Sequence, residues 1–337
     1  MFLGADLSSI HEVEDSGGVF YHQGLPADLI EILTANGANI ARVRLWHTPT
    51  WTSYSTLDDA KRTMRRARDA GMALMLDFHY SDTWADPAKQ IIPAAWASIC
   101  DPELLSAALH DYTLTTLIDL HACGLMPEFV QVGNEINTEL LMPGYHDGAV
   151  INWPRNALLI NAGLAAVREA GRRTGTTPRS VLHIAQPENL EPWFEAAFEN
   201  GVSDFDEIGL SYYPKWSICS LDEMGQAIAA VKQRWGKPIM IVETAYPWTL
   251  EPGRVDDHLL GPDAVVPAYP ATAEGQRQFL IDLAQITVAS GGTGVIYWEP
   301  AWISTAAKPT HWENATLFDY EGRALNGIEF FAQGVQP

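Results

Sequence analysis

The stretch LDDAKRTMRRARDAGMALMLDF, residues 57–78, contains the repeating unit from which the fold is predicted. Residues 57–70 have the apolar spacing of an amphipathic helix, and Gly71 is the kind of residue that commonly ends a helix in the left-handed conformation. Residues 73–78 then form a short, nearly continuous apolar run, which is typical of a parallel strand buried on both faces. The stretch therefore predicts a helix followed by a buried strand.

The same alternation recurs about eight times along the chain. Strands are predicted at residues 2–6, 40–46, 73–78, 129–133, 181–185, 207–211, 239–243 and 293–298. Helices are predicted at residues 26–36, 57–70, 102–122, 154–173, 190–200, 221–235 and 273–289, with a closing helix near 325–332. This repeat favours an α/β fold of the (β/α)8 TIM barrel type over an open doubly wound sheet, because no glycine-rich nucleotide loop follows the first strand. No linker divides the sequence, so we expect a single domain over residues 1–337.

The chain is strongly acidic, with 21 Lys and Arg against 42 Asp and Glu and a formal charge of -21. Such a charge repels nucleic-acid phosphates and anionic membrane surfaces, and it suits a neutral polymer better than a polyanion. The three cysteines, Cys100, Cys123 and Cys219, are too scattered for a disulfide framework or a metal site. We expect a monomer that binds neither nucleic acid nor membranes. Its compartment would be extracellular or periplasmic if a leader was removed, and cytoplasmic if the chain is complete.

Two glutamates stand at the ends of predicted strands: Glu135 after the fourth and Glu243 at the end of the seventh. In a TIM barrel the active site lies at the carboxyl ends of the strands, so the two side chains can converge although 243 − 135 = 108 positions separate them. Cleavage of a glycosidic bond needs a proton for the leaving oxygen and a nucleophile at the anomeric carbon, and two carboxyl groups supply both. Each glutamate alone could be a solvated loop residue, but together they predict a glycoside hydrolase.

Further polar residues follow the same strands and are candidates for substrate binding. Asn134 would direct its amide at a sugar hydroxyl. Arg44 could lower the pKa of Glu243 and keep it ionised, or it could form a structural salt bridge at the barrel rim. One hydroxyl of the pair Tyr212 and Tyr213 could also donate to Glu243. The other substrate-binding candidates are His79, Asp82, Trp84, Trp298 and Trp302.

Several of the 12 tryptophans fall in the predicted loops above the strands, namely Trp46, Trp84, Trp298, Trp302 and Trp312. Indole rings stack on the CH faces of sugars, so an aromatic mouth suits a polysaccharide. We expect Trp298 at the floor of the cleft and Trp235 in the outer shell. We expect His79 to contact the substrate or to orient another side chain, because no second histidine stands at metal-ligand spacing.

The run DFHYSDTWADP at residues 77–87, followed by PAAW at 93–96, resembles the signature of the family 53 endo-β-1,4-galactanases. Other motifs match in the same order: GADLSS at 4–9, RVRLW at 42–46, QVGNE at 131–135, SYYP at 211–214, VET at 242–244 and YWEPAW at 297–302. The resemblance covers nearly the whole chain. It implies a barrel enzyme that cleaves β-1,4-galactan, including the galactan side chains of pectin, with retention. In that scheme Glu135 is the acid/base and Glu243 the nucleophile, with carboxyl groups about 5 to 5.5 Å apart.

Some similar bacterial proteins bind calcium through a loop rich in Asp and Asn. Here residues 253–261 read GRVDDHLLG, with Asp256 and Asp257 but few other oxygen ligands, so we expect no required cofactor and do not favour a structural calcium. The loop after Trp302 is short compared with the longest members of that family, which could reshape or remove outer sugar subsites. Two alternatives remain open: a related retaining barrel glycosidase acting on another β-1,4-glycan or on galacto-oligosaccharides, and a catalytically inactive sugar-binding barrel.

Overall fold

The computed structural model describes residues 1–144 and 150–335, which contain a closed barrel of eight parallel strands. In chain order the strands are Phe2–Asp6, Ile40–Leu45, Ala73–Phe78, Phe129–Val132, Arg179–Ala185, Glu207–Ser211, Ile239–Glu243 and Gly294–Tyr297, here numbered one to eight. Each strand pairs with the next, and the eighth pairs with the first. The predicted TIM barrel is confirmed.

Helices connect the strands and cover the outside of the barrel. They are Ile10–Asp15, Leu29–Ala35, Leu57–Asp69, Pro102–Ala122, Trp153–Thr174, Leu190–Glu199, Leu221–Trp235 and Ala273–Ala289. The short first helix and a hairpin of Tyr21–His22 with Leu25–Pro26 were not predicted. The closing segment is a 3-10 helix, Asn326–Val335, rather than the predicted α-helix, and it packs against Ala273–Ala289. Within the described ranges, no helix is long and apolar enough to span a membrane.

Local signals explain where several helices begin. Asp101 accepts hydrogen bonds from the backbone N–H groups of Glu103 and Leu104, which would otherwise lack partners at the start of the helix. Ser220 and Glu223 form a reciprocal capping box. Asn200, directly after the sixth helix, is followed by Gly201 at a φ of 81°, so the chain turns there into the next strand.

The barrel interior has an apolar layer below a polar one. The apolar layer consists of Ile40, Met75, Phe129, Val181, Met240, Val242 and Ile296. Side chains two positions apart on a strand share a face, so the next inward positions lie nearer the carboxyl ends. Polar side chains occupy six of these positions, all almost completely buried, and we call them the polar layer: Asp6, Arg42, Asp77, Gln131, His183 and Ser211. The polar layer supports the side of the barrel where a TIM-barrel active site is expected.

Candidate active site

A cavity of about 780 Å³ opens at the carboxyl ends of the strands, and we call it the main cavity. Both predicted carboxyl residues, Glu135 and Glu243, line it. Six of the predicted substrate-binding residues line it too: His79, Trp84, Asn134, Tyr213, Trp298 and Trp302. The other three, Arg44, Asp82 and Tyr212, are not part of this lining. The structure therefore brings most of the predicted residues together from different loops.

A β-bulge directs Glu243 into the main cavity. Met240 and Val242 both belong to the apolar layer, so strict alternation would point Glu243 away from the interior. The pairing register between the sixth and seventh strands shifts at Leu210 and Ser211, so that Ser211 pairs with Glu243. Bulges of this kind re-aim side chains near active sites, which accounts for the inward position of Glu243.

Two donors hold the carboxyl group of Glu243. Arg42 Nη2 lies 2.8 Å from Oε1, and the Tyr213 hydroxyl donates to Oε2 at 3.2 Å. The guanidinium and the phenol both favour the ionised form of the carboxyl group. This carboxyl group is therefore fixed in place with both oxygens engaged by donors.

The donors to Glu243 decide between alternatives that the sequence left open for Arg44 and for the two tyrosines. Arg44 does not contact Glu243: its Nη1 lies 3.1 Å from Oε1 of Glu299, as in the alternative of a structural salt bridge. Of the two tyrosines, Tyr213 is the one that donates, whereas the Tyr212 hydroxyl donates to the carbonyl oxygen of Cys219. Arg42 and Arg44 both face the interior, but Arg42 lies one layer deeper, where it reaches the centre of the barrel.

Asp82 has a structural position in the loop after the third strand. Its Oδ1 accepts from the backbone N–H of Thr48 and its Oδ2 from that of Ala94, each at 2.8 Å. With both carboxyl oxygens engaged in this way and no place in the lining of the main cavity, Asp82 ties two loop segments together. Its predicted role as a sugar ligand is not supported by this position.

Arg42 is the centre of an ion-pair network inside the polar layer. Nη1 lies 2.7 Å from Asp6 and Nη2 lies 2.9 Å from Asp77, while the whole side chain is 1% exposed. Burial disfavours its charge, but the carboxylates of Asp77, Glu243 and Asp6 outweigh this and raise the pKa of Arg42. The guanidinium is therefore permanently charged, and three buried carboxylates surround it.

Sequence reasoning missed most of the polar layer, although a signal was present. Asp6, Arg42 and Asp77 each follow an apolar or glycine residue two positions earlier in a predicted strand. In a barrel, residues at this spacing all point into the interior. Their buried charges can then be accommodated only if they pair with one another. Arg42 can be identified as the partner of Glu243 only from the barrel layer that it occupies, because both Arg42 and Arg44 lie near the end of the second strand.

Glu135 follows a tight turn at the end of the fourth strand. Gly133 has a φ of 84°, and a Cβ there would lie 2.5 Å from Cγ2 of Ile136, so glycine is needed. Glu135 itself has a φ of 45°, a left-handed conformation that is uncommon outside glycine and is found at functional sites. This backbone turns the Glu135 side chain toward the cavity.

The surroundings of the two glutamates give them different tendencies to hold a proton. Burial raises the pKa of Glu135 to about 7, opposed by a hydrogen bond from Ser211. Burial also raises the pKa of Glu243 above its usual value, although the charge of the Arg42 guanidinium opposes this rise. Only Glu243 has a cation and a phenol on its two oxygens, so the negative charge of the singly protonated pair lies on Glu243. This asymmetry matches the needs of an acid and a nucleophile.

Asn134 and His79 connect the polar layer to the cavity wall. Asn134 accepts from Arg42 Nη2 at 2.7 Å and donates to the carbonyl oxygen of Ala85 at 2.8 Å, so its amide is engaged within the protein. His79 Nδ1 accepts from the Ala85 backbone N–H at 3.0 Å, while its Nε2 lies 3.0 Å from Asp77. Burial lowers the pKa of His79, so the imidazole is neutral and donates to Asp77. Both residues orient the segment that carries Trp84.

Indole rings form much of the apolar wall. Trp298 packs edge-on against Trp312 with ring centroids 4.6 Å apart, and Trp84 stacks on Trp302 at 5.9 Å with an angle of 25° between the planes. Trp216, which is 44% exposed, also lines the main cavity and was not predicted. Trp235 instead packs against Phe198 on the outer shell, as expected. The cavity thus combines two carboxyl groups with several flat apolar faces.

The loop considered for calcium does not fit that ion. The buried carboxylate of Glu313 accepts from the backbone N–H groups of Arg254 and Val255 at 2.7 and 3.0 Å. Calcium needs six to eight oxygen ligands, whereas this loop directs N–H donors inward. Asp257 is exposed and pairs with His311, and residues 1–144 and 150–335 contain no cluster of three His, Cys, Asp or Glu side chains suited to a metal.

The structure combines an eight-stranded α/β barrel with two glutamates in one indole-lined cavity, and this combination is that of a barrel glycoside hydrolase. Comparison with known proteins agrees: the family model of glycosyl hydrolase family 53 matches residues 2–331. The chain is 49% identical over 345 residues to an arabinogalactan endo-β-1,4-galactanase of Cellvibrio japonicus, covering 99% of this chain and 91% of that protein. The chain therefore belongs to glycosyl hydrolase family 53.

Solved structures give the same result. The GH53 catalytic domain of Ignisphaera aggregans superimposes with a TM-score of 0.90 at 30% identity, covering 99% of this chain and 96% of that one. A structure from a study of two fungal β-1,4-galactanases superimposes with a TM-score of 0.86 at 33% identity, covering 98% and 99%. The fold and the family expected from the third-strand motif are both confirmed.

Proposed function

We propose that this protein is a retaining endo-β-1,4-galactanase that hydrolyses β-1,4-galactan and the galactan of arabinogalactan. The names of its relatives support the substrate, since the Cellvibrio protein is an arabinogalactan endo-β-1,4-galactanase. The observation that carries the reaction type is the pair Glu135 and Glu243 in one cavity, with the Arg42 and Tyr213 donors on Glu243 alone. We further propose that residues 1–337 act as one catalytic domain and as a monomer.

In the first step Glu135 gives its proton to the glycosidic oxygen as that oxygen leaves the anomeric carbon. The Glu243 carboxylate attacks the same carbon and forms a glycosyl ester. Ester formation removes the negative charge from Glu243, so the pKa of Glu135 falls and its carboxylate can accept a proton. In the second step Glu135 takes a proton from water, the water oxygen attacks the anomeric carbon, and the Glu243 carboxylate leaves with net retention.

The indole rings provide binding surface for a neutral chain. Trp298 and Trp216 are placed in the cavity wall where sugar rings can stack on them, and the cavity volume of about 780 Å³ is enough for several rings. No metal is part of this proposal, because the two carboxyl groups supply both the proton and the nucleophile. We therefore expect the same rate before and after treatment with a chelator.

A reducing-sugar assay on linear β-1,4-galactan, arabinogalactan, mannan and cellulose tests the function. The proposal expects activity on the first two, with early products of mixed length and a rapid fall in viscosity. A preference for mannan or cellulose would instead support a related barrel glycosidase. The variant Glu135→Gln is the control for an inactive sugar-binding barrel: equal, negligible rates for it and the wild type on every polymer would contradict enzymatic function.

A further inference from the structure

A second cavity of about 260 Å³ lies beside the main one, and we call it the side pocket. Trp84 and Trp302 line both cavities, so their stacked rings form the shared wall. The remaining lining of the side pocket comes from the first, second and eighth loops and includes Trp46, Trp51, Arg44 and Lys308. It contains neither Glu135 nor Glu243, and nothing in the reaction described above requires it.

The aromatic part of the side pocket suits a sugar ring. Trp51 is 60% exposed, which is unusual for so large an apolar ring, and its Nε1 is fixed by donating to the carbonyl oxygen of Asp82 at 3.0 Å. Trp46 packs against it with centroids 4.9 Å apart. The exposed face of Trp51, supported from behind by Trp46, points to a ligand with CH groups that can stack on it.

The charges in the side pocket favour a neutral ligand over an anionic one. Arg44, whose guanidinium lies 4.0 Å from the Trp84 ring centroid, is already paired with Glu299 at 3.1 Å. Lys308 is paired with Glu12 at 3.1 Å. Both cations are therefore neutralised by carboxylates of the protein, and the total charge of -21 adds to the repulsion of anions. The pocket presents indole faces and hydroxyl groups to a neutral ligand.

We propose that the side pocket binds a sugar unit attached as a branch to the galactan chain in the main cavity. Its volume fits one ring, whereas the main cavity already provides room for consecutive units of the backbone. A branch on a chain bound in the main cavity has only to pass the shared wall of Trp84 and Trp302 to reach Trp51. Since the Cellvibrio relative is named for arabinogalactan, a neutral pentosyl branch such as arabinose is the expected occupant. This inference rests on the proposed function.

The test compares linear galactan with arabinosyl-substituted galactan of the same backbone length. Trp51→Ala removes the exposed stacking face, and because this ring is mostly in solvent the fold is expected to tolerate the change. We expect kcat/KM on the substituted polymer to fall by roughly 3- to 10-fold, the loss expected for one aromatic stacking contact, with the rate on linear galactan unchanged. The matched control is Trp216→Ala, which removes an exposed indole of the main cavity alone and should lower both rates equally.

The outcomes separate this inference from the proposed function. If wild type fails to hydrolyse linear galactan, the proposed function is wrong. If wild type hydrolyses both polymers and Trp51→Ala lowers both rates equally, the side pocket binds a backbone unit and the branch assignment is overturned. If Trp51→Ala hydrolyses both polymers as fast as the wild type does, the side pocket binds no part of the substrate.

Discussion

The replacement Arg42→Lys should shift the acid limb of the pH profile upward and slow the reaction, because Arg42 stabilises the charge of Glu243. The distance of 2.8 Å from Nη2 to Oε1 places the charge centres about 4 Å apart, where an effective dielectric constant of about 20 gives about 4 kcal/mol of attraction. A lysine ammonium about 2 Å further away would retain about 2.8 kcal/mol, so about 1.4 kcal/mol is lost. That loss raises the pKa of Glu243 by about one unit.

The assay is the pH dependence of kcat/KM on linear galactan. The limb that reports ionisation of Glu243 should move to higher pH by about one unit in Arg42→Lys. At the optimum, loss of a charge-assisted hydrogen bond worth about 1.5 to 3 kcal/mol should slow the reaction by roughly 10- to 150-fold. Thermal unfolding should be followed in parallel, since Arg42 also neutralises Asp6 and Asp77.

Arg44→Lys is the matched control. Arg44 is similarly buried and carries the same charge, but its carboxylate partner is Glu299. The acid limb of the pH profile of Arg44→Lys should therefore coincide with that of the wild type. If Arg44→Lys shifted the limb and Arg42→Lys left it in place, the assignment of Arg42 as the partner of Glu243 would be refuted.

Three further predictions concern the acid, the nucleophile and the two tyrosines. Because burial raises the pKa of Glu135 to about 7, the wild-type rate should fall above about pH 7. The variant Glu135→Gln should lose this alkaline limb when it is assayed on an aryl galactoside whose leaving group needs no proton. An unchanged alkaline limb in that variant would assign the acid to another residue. Glu243→Ala should lose several orders of magnitude in turnover. Added azide should then yield an α-galactosyl azide, which mass spectrometry and NMR can detect. Near-normal turnover of this variant would show that another carboxylate attacks. Tyr213→Phe should lower kcat roughly 10-fold, because it removes the hydrogen bond to Glu243. Tyr212→Phe should leave kcat unchanged and lower the free energy of unfolding by about 1 kcal/mol, because the Tyr212 hydroxyl donates to the Cys219 carbonyl oxygen. Equal effects of the two variants on kcat would contradict these different partners.

The barrel could be predicted from the sequence because its strands are short, mainly apolar runs and its helices end at recognisable residues. Strands 2–6, 73–78, 207–211 and 239–243 agree with the structure to the residue. The helix type of the final segment was harder to predict, because the chain there forms a 3-10 helix and not an α-helix. Gly327 in this segment packs so closely that a Cβ would lie 2.5 Å from Gln276 Oε1. The apolar spacing alone does not distinguish these two helix types.

Parts of the site could be predicted and parts could not. Glu135 and Glu243 follow strands, and strand ends are visible in the sequence. The partner of Glu243 depends on the barrel layer that each arginine occupies and on the bulge at Ser211, which are set by strand register. Register is a tertiary property, so the sequence left open whether Arg44 contacts Glu243 or forms a salt bridge elsewhere.

Trapping the covalent intermediate tests most directly whether Glu243 is the nucleophile of a retaining enzyme. The protein would be incubated with a 2-deoxy-2-fluoro-β-galactosyl or galactobiosyl fluoride, digested, and analysed by tandem mass spectrometry. We expect one glycosyl adduct, on Glu243, with β-configured products from normal substrate in proton NMR. An adduct on Glu135 or Glu299, or α-configured products with no adduct, would contradict the mechanism.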